Sequence, residues 1–256
     1  MRNRPMQVAR LGLTPVKGMA HVALPEVELT RGGPLHDRVF CVVEADTGRV
    51  LRTVENDIAM ACEAVWTPPV LTIRAPGGDA SGEVSEGALI AGQYWDRELK
   101  LNVIEGPWAG LLSRHFGRPV LLCRVAGPER AIWAGSVSLV TTSSLAEVAR
   151  RTGCGHDDGA RFRPTIVVDT GEAPAFVEDT WVGSRLRIGA AVVTVEERLP
   201  RCAVVDRRPA AGGHDVAVLR ALAADRRDGN EIVFGVSGEV EQLARVALAD
   251  PVRLLG

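Results

Sequence analysis

No run in this chain is long and free enough of charge to cross a bilayer as a helix, so a soluble, non-membrane protein is the expectation. The five cysteines, Cys41, Cys62, Cys123, Cys154 and Cys202, are odd in number and form no CxxC pair, which argues against a disulfide framework, a zinc knuckle and an in-chain iron–sulfur cluster. An excess of either charge is also missing. With 30 Lys and Arg against 32 Asp and Glu, the formal charge of −2 gives no global basic field for nucleic acid or an anionic membrane, so an anion site would have to be local. The opening residues carry arginines but pass straight into a strand-like segment without an apolar signal core, which reads as cytoplasmic. There is no internal repeat, no low-complexity tract and no flavin fingerprint.

What is present is enough for a substantial core. At 256 residues, 46% hydrophobic and 24% charged, the chain suits one large domain or two closely joined ones. Short apolar runs between Gly, Pro and Asp turns dominate and predict a strand-rich meander in the first hundred residues. A helix is expected over 108–117, where Trp108, Leu111, Leu112 and Phe116 share a face and Gly117 stops it. Another begins near Ser144, with Ser144 and Glu147 as a capping box, and a third amphipathic helix is expected over 215–226. The fold class that results is α+β, strand-dominated and built on β barrels, with roughly four helices.

Chemistry concentrates at a few places. In Glu197–Asp206, Cys202 follows Arg198 and Arg201 at the end of a strand-like run, and guanidinium neighbours favour a thiolate, the form that attacks electrophiles or binds soft metals. A free cysteine is more often a small buried hydrophobe, the reading kept for Cys123. Lys17 stands in the Thr14–Gly18 turn, where it would either face an anion or be solvated. Asp37 and Arg38 precede a buried strand, as a structural ion pair or as part of a site. The hydroxyl run Thr141–Ser144 starts a helix, whose free N–H groups cap it and also suit a phosphate. Alternation in a strand over 161–169 would place Arg161 and Arg163 on one side, which calls for something negative beside them.

Taken in order, Thr-Pro-Val-Lys-Gly (14–18), His-Asp-Arg-Val-Phe (36–40), Ser-Leu-Ala-Glu-Val (144–148), Arg-Phe-Arg-Pro-Thr-Ile-Val-Val-Asp (161–169), Phe-Val-Glu-Asp-Thr-Trp (176–181), Arg-Cys (201–202), Phe-Gly-Val (234–236) and Asp-Pro-Val (250–252) resemble the MOSC family. The likeness is to the subgroup with an N-terminal MOSC β-barrel domain, which includes the mitochondrial amidoxime reducing component and its bacterial relatives, and it spans nearly the whole chain. It implies an N-terminal β-barrel-like domain over 1–105 and a MOSC domain over 106–256, with a molybdenum cofactor (Mo-molybdopterin) between them. Cys202 would be the molybdenum ligand and the catalytic residue. Lys17, Arg38, Thr142, Ser143, Ser144, Arg163 and Arg201 would hold the pterin and its phosphate, with Gly18 and Thr165 standing where relatives often carry Ser and Asn. The activity implied is an oxidoreductase that removes oxygen from a small substrate, such as an N-hydroxylated compound, with electrons from a separate donor protein. Two alternatives share Cys202: a sulfur carrier or sulfurtransferase working through a persulfide, and a non-catalytic carrier of the cofactor.

Overall fold

The structure is a computed structural model that describes residues 5–127, 135–155 and 158–255; the opening arginines Arg2 and Arg4 lie outside these. Its largest sheet has nine strands. Their order is Val252–Leu255, Arg185–Ile188, Ala191–Pro200, Glu231–Gln242, Val137–Thr141, Ile166–Asp169, Gln7–Leu13 and Val22–Leu24, with Arg227–Asp228 paired to Glu231–Gln242 beside this path. Val137–Thr141 and Ile166–Asp169 run parallel. A parallel pair needs a crossover, and the helix Thr142–Thr152 supplies it. The two ends of the sheet meet at one corner, where Gln7 bridges Pro251 and the Val8 amide donates to the Asp250 carbonyl. That contact is an isolated bridge and not a ladder. Alternate residues of these strands, among them Val8, Leu11, Leu139, Ile166, Val193, Val195 and Val236, face inward and form the first core.

A second body carries a four-stranded sheet ordered Phe40–Glu44, Val120–Val125, Arg97–Glu105, Ser85–Tyr94 and a meander of Glu63–Thr67, Val70–Ala75 and Gly78–Glu83. The expected helix is there as Trp108–Phe116, with Trp108, Leu111, Leu112 and Phe116 buried and Gly117 in the left-handed conformation at its end. Trp108 is fully buried and donates its indole N–H to the Leu71 carbonyl at 3.2 Å, fixing the helix on the meander.

Three local expectations are corrected. Residues 158–162 form a 3-10 turn and the strand starts only at Ile166, so Arg161 and Arg163 do not share a strand face. Pro164, which lacks an N–H and bars its predecessor from helical geometry, ends the turn, and Arg163 takes φ 51°. The cap of Thr142–Thr152 is Thr141, whose hydroxyl accepts from the Ser144 amide, while Glu147 turns away to Arg150 and Arg151. The helix expected over 215–226 shrinks to Val218–Leu222, because Asp215 is drawn to Arg161 and its Oδ1 also accepts from the Val216 amide.

Candidate functional site

The site begins where Gln7–Leu13 ends. The turn Thr14–Gly18 is laced to residues 37–40 by four hydrogen bonds: Thr14 N to Asp37 Oδ1 (2.8 Å), Arg38 N to Thr14 O (2.8 Å), Phe40 N to Pro15 O (3.1 Å) and Lys17 N to Phe40 O (2.8 Å). Asp37 is buried and also pairs with Arg38, so it braces both sides of the junction. Gly18 has φ 87°, and a Cβ there would come within 3.1 Å of Thr53 Oγ1. Its carbonyl accepts from Arg163 Nη2 at 3.2 Å, which brings the arginine that precedes Ile166–Asp169 against the lysine turn.

Arg201 and Cys202 arrive on the end of Ala191–Pro200. The Arg201 Nε donates to the Phe234 carbonyl and Nη1 to the Phe162 carbonyl, both at 2.8 Å. Those two phenylalanines stack at 4.1 Å between centroids, and the guanidinium lies 5.5 and 5.9 Å from their centres. Gly235 follows with φ 71°, and a Cβ there would stand 2.6 Å from the Leu139 carbonyl oxygen and 3.4 Å from Arg201 Nη2. Cys202 itself is exposed and opens the short turn Ala203–Asp206. Arg161 holds this turn from below. Fully buried, it donates to the carbonyls of Val205 and Arg207 and makes a two-pronged pair with Asp215.

The cations of the site crowd one another. Lys17 is pushed down to about 8 by burial and then by Arg38 and Arg163, with Cys41 and Cys202 opposing. Burial and Arg38 take Arg163 down to about 10, against Asp37 and Cys202. Arg201 also falls to about 10, chiefly by burial, with Cys202 pulling upward and Arg38 downward. All three therefore sense Cys202. Arg163 Nε and Arg201 Nη2 are buried and, among the described residues, have no hydrogen-bond partner. Buried N–H groups left this way cost about 1–3 kcal/mol each unless something accepts them. A concentration of positive charge with open donors, beside an exposed thiol, fits an anionic ligand that also binds sulfur.

Lys17, Gly18, Arg38, Arg163, Arg201 and Cys202 thus come together. Thr165 and the hydroxyl run are engaged differently. Thr165 is buried, with its hydroxyl accepting from the Ser138 amide and its own amide donating to Ser138 Oγ. Ser144 is buried too, and its hydroxyl accepts from the Phe176 amide and donates to Glu178. Ser143 Oγ lies 3.2 Å from Thr170 Oγ1 and 3.3 Å from the Pro174 carbonyl, so of this run the first-turn amides of Thr142 and Ser143 are what a helix start leaves available. Sequence reasoning missed His21, Tyr94 and Glu178. Tyr94 places its ring 5.0 Å from Lys17 Nζ, and no periodicity in its strand marks it out. His21 sits three residues beyond Gly18, outside the motifs the sequence offers.

An exposed thiol beside a half-buried cationic cluster, set where the nine-stranded sheet meets a second β body, defines a β protein with a local site suited to an anion. The family described as MOSC N-terminal beta barrel domain matches residues 6–99, and that described as MOSC domain matches residues 113–253. The chain belongs to the MOSC family, which is associated with molybdenum cofactor binding and sulfur transfer. Among solved structures it is similar to the YUAD protein from Bacillus subtilis, at 10% identity over 99% of this chain and 97% of that chain with a TM-score of 0.46. It is also similar to YiiM from Geobacillus stearothermophilus, at 14% identity over 48% and 55% with a TM-score of 0.35. A Bordetella bronchiseptica protein of known solution structure follows at 17% identity over 46% and 91%, with a TM-score of 0.32. No curated protein matches. Among the described residues, no helix is long and apolar enough to cross a membrane.

Proposed function

We propose that this protein is a molybdenum-cofactor oxidoreductase that reduces a small oxygenated substrate, such as an N-hydroxylated compound. The observation that carries the reading is the open donor pair, Arg163 Nε and Arg201 Nη2, buried among like charges next to the exposed Cys202. Such a cluster is electrostatically incomplete without a ligand of negative charge, and arginine forks suit phosphate and pterin oxygens. Lys17, Arg38, Arg163 and Arg201 would hold the cofactor, with the first-turn amides of Thr142 and Ser143 as further donors. Cys202 would be the metal ligand, since thiolate is the soft donor the site offers. Molybdenum, when bound, supplies two-electron chemistry at oxygen. The chain's own part is to neutralise the ligand's charge, orient it against Cys202, and exclude water through the stacked Phe162 and Phe234. Electrons would come from a separate protein in the cytoplasm.

Metal and pterin analysis of protein made in a host that synthesises the cofactor tests this, with Cys202→Ala in parallel. Stoichiometric molybdenum, lost in the variant, and turnover of N-hydroxylated substrates with a reducing dye are expected. Metal-free, pterin-free protein carrying cyanide-releasable sulfur on Cys202 would overturn the reductase reading in favour of a persulfide carrier.

A further inference from the structure

His21 lies inside the cation cluster and carries no charge there. Burial, then Arg163 and Arg38, push it down to about 3, with a hydrogen bond to the Pro164 carbonyl the one opposing influence. Its Nδ1 lies 3.3 Å from Thr14 Oγ1. A carbonyl can only accept, so the neutral ring gives its N–H to Pro164 and takes the Thr14 hydroxyl proton on its other nitrogen. Space for the ring is reserved by Gly12, where a Cβ would collide with His21 Nε2.

The contacts of Thr14 and Pro164 give this arrangement a purpose. Thr14 binds Asp37 through its amide and Arg38 through its carbonyl, so it is the base of the Arg38 turn. Pro164 directly follows Arg163. Arg38 and Arg163 both hold φ 51°, a left-handed conformation that costs a non-glycine residue energy and persists only when its surroundings enforce it. From these contacts we infer that His21 is a positioning residue: a neutral imidazole strut from Thr14 to Pro164 that sets the spacing of Arg38 and Arg163 for the anionic part of the ligand. The inference rests on the cofactor reading above. A charged side chain could not serve, because it would join the repulsion between the two guanidinium groups. A purely apolar one would leave the Thr14 hydroxyl and the Pro164 carbonyl without partners.

The test titrates inorganic phosphate into the full-length cofactor-free protein by calorimetry, for wild type, His21→Ala, Gly12→Ala and His21→Gln, with melting temperatures recorded for each. Glutamine is neutral and offers both a donor and an acceptor, so His21→Gln should bind close to wild type. His21→Ala, which removes the strut, should weaken phosphate by about tenfold, the low end of what orienting partners of a ligand shell contribute, and Gly12→Ala, whose methyl meets the ring and also the Val22 carbonyl oxygen, should weaken it at least as much. The imidazole nitrogen NMR spectrum should show one protonated and one bare ring nitrogen at pH 6, with and without phosphate. Equal binding by wild type and all three variants, or a ring charged at pH 6, would overturn the strut and leave the anion site standing. No phosphate uptake by wild type would instead overturn the anion site, and the strut with it.

Discussion

Lys17 is where the electrostatics of the site become measurable. Its proton affinity is lowered to about 8 from an ordinary 10.5. Between those values the unfolded chain holds the proton more tightly, so the cationic lysine destabilises the unliganded fold below about pH 8, and that penalty fades as pH rises toward 10.5. An anion reverses the effect by restoring the affinity. Phosphate binding should therefore take up a proton between pH 8 and 10.5, visible as a dependence of calorimetric heat on buffer ionisation, and should be tightest below about pH 8. Lys17→Met should abolish the uptake. Arg163 makes the complementary case, because it combines a half-buried charge crowded by Arg38 with a left-handed backbone. Arg163→Gly relieves both and should raise the stability of the unliganded protein by about 1 kcal/mol in urea denaturation. The same change should weaken phosphate at least tenfold, since a charged fork is lost. Stability and binding would move in opposite directions, as they do where a site stores strain.

At the scale of elements, the turn that follows Cys202 is braced by a fully buried cation. Arg161 joins the Val205 and Arg207 carbonyls to Asp215. Arg161→Met should cost about 3 kcal/mol, because two carbonyls lose their partner and Asp215 keeps only the Val216 amide and the more distant Arg208. Hydrogen exchange should quicken over 203–215 while the nine-stranded sheet stays protected. The sequence showed Arg161 and Arg163 as a pair and could not show that they part company. Alternation applies only inside a strand, and the chain here is a 3-10 turn ended by Pro164. Periodicity was informative where burial is one-sided, as in Trp108–Phe116, whose four apolar residues and terminal glycine were all legible. It failed over 215–226, where a distant guanidinium outweighs local helix preference. In the site, Lys17, Arg38, Arg163 and Arg201 were legible as charges near turns, and Cys202 as a thiol beside arginines. His21 and Glu178 were not, since their roles come from neighbours more than 100 and about 35 positions away respectively, Pro164 for one and Thr141 and Ser144 for the other.

The whole molecule is held together by elements that its two bodies exchange. Gln7–Leu13, first in the chain, pairs with Ile166–Asp169, and Glu26–Thr30 pairs with Ala244–Ala247. In the other direction, Trp108–Phe116 and Val120–Val125, which follow the N-terminal strands, pack into the second body against them. Val8, Leu11, Val27 and Leu29 belong to the same core as Val193 and Val236. A fragment of residues 106–256 would therefore lose Gln7–Leu13 beside Ile166–Asp169 and Val22–Leu24 beyond it, expose Ile166–Asp169 as an edge, and leave four core positions empty. It should express as insoluble or partly folded protein, with poor dispersion in its amide NMR spectrum. Supplying residues 1–105 as a separate chain should restore solubility by strand pairing in trans. The site makes the same demand, because Lys17 and Arg38 come from one side of the exchange and Arg163, Arg201 and Cys202 from the other. Phosphate binding should consequently return together with the fold and should not be seen in either fragment alone.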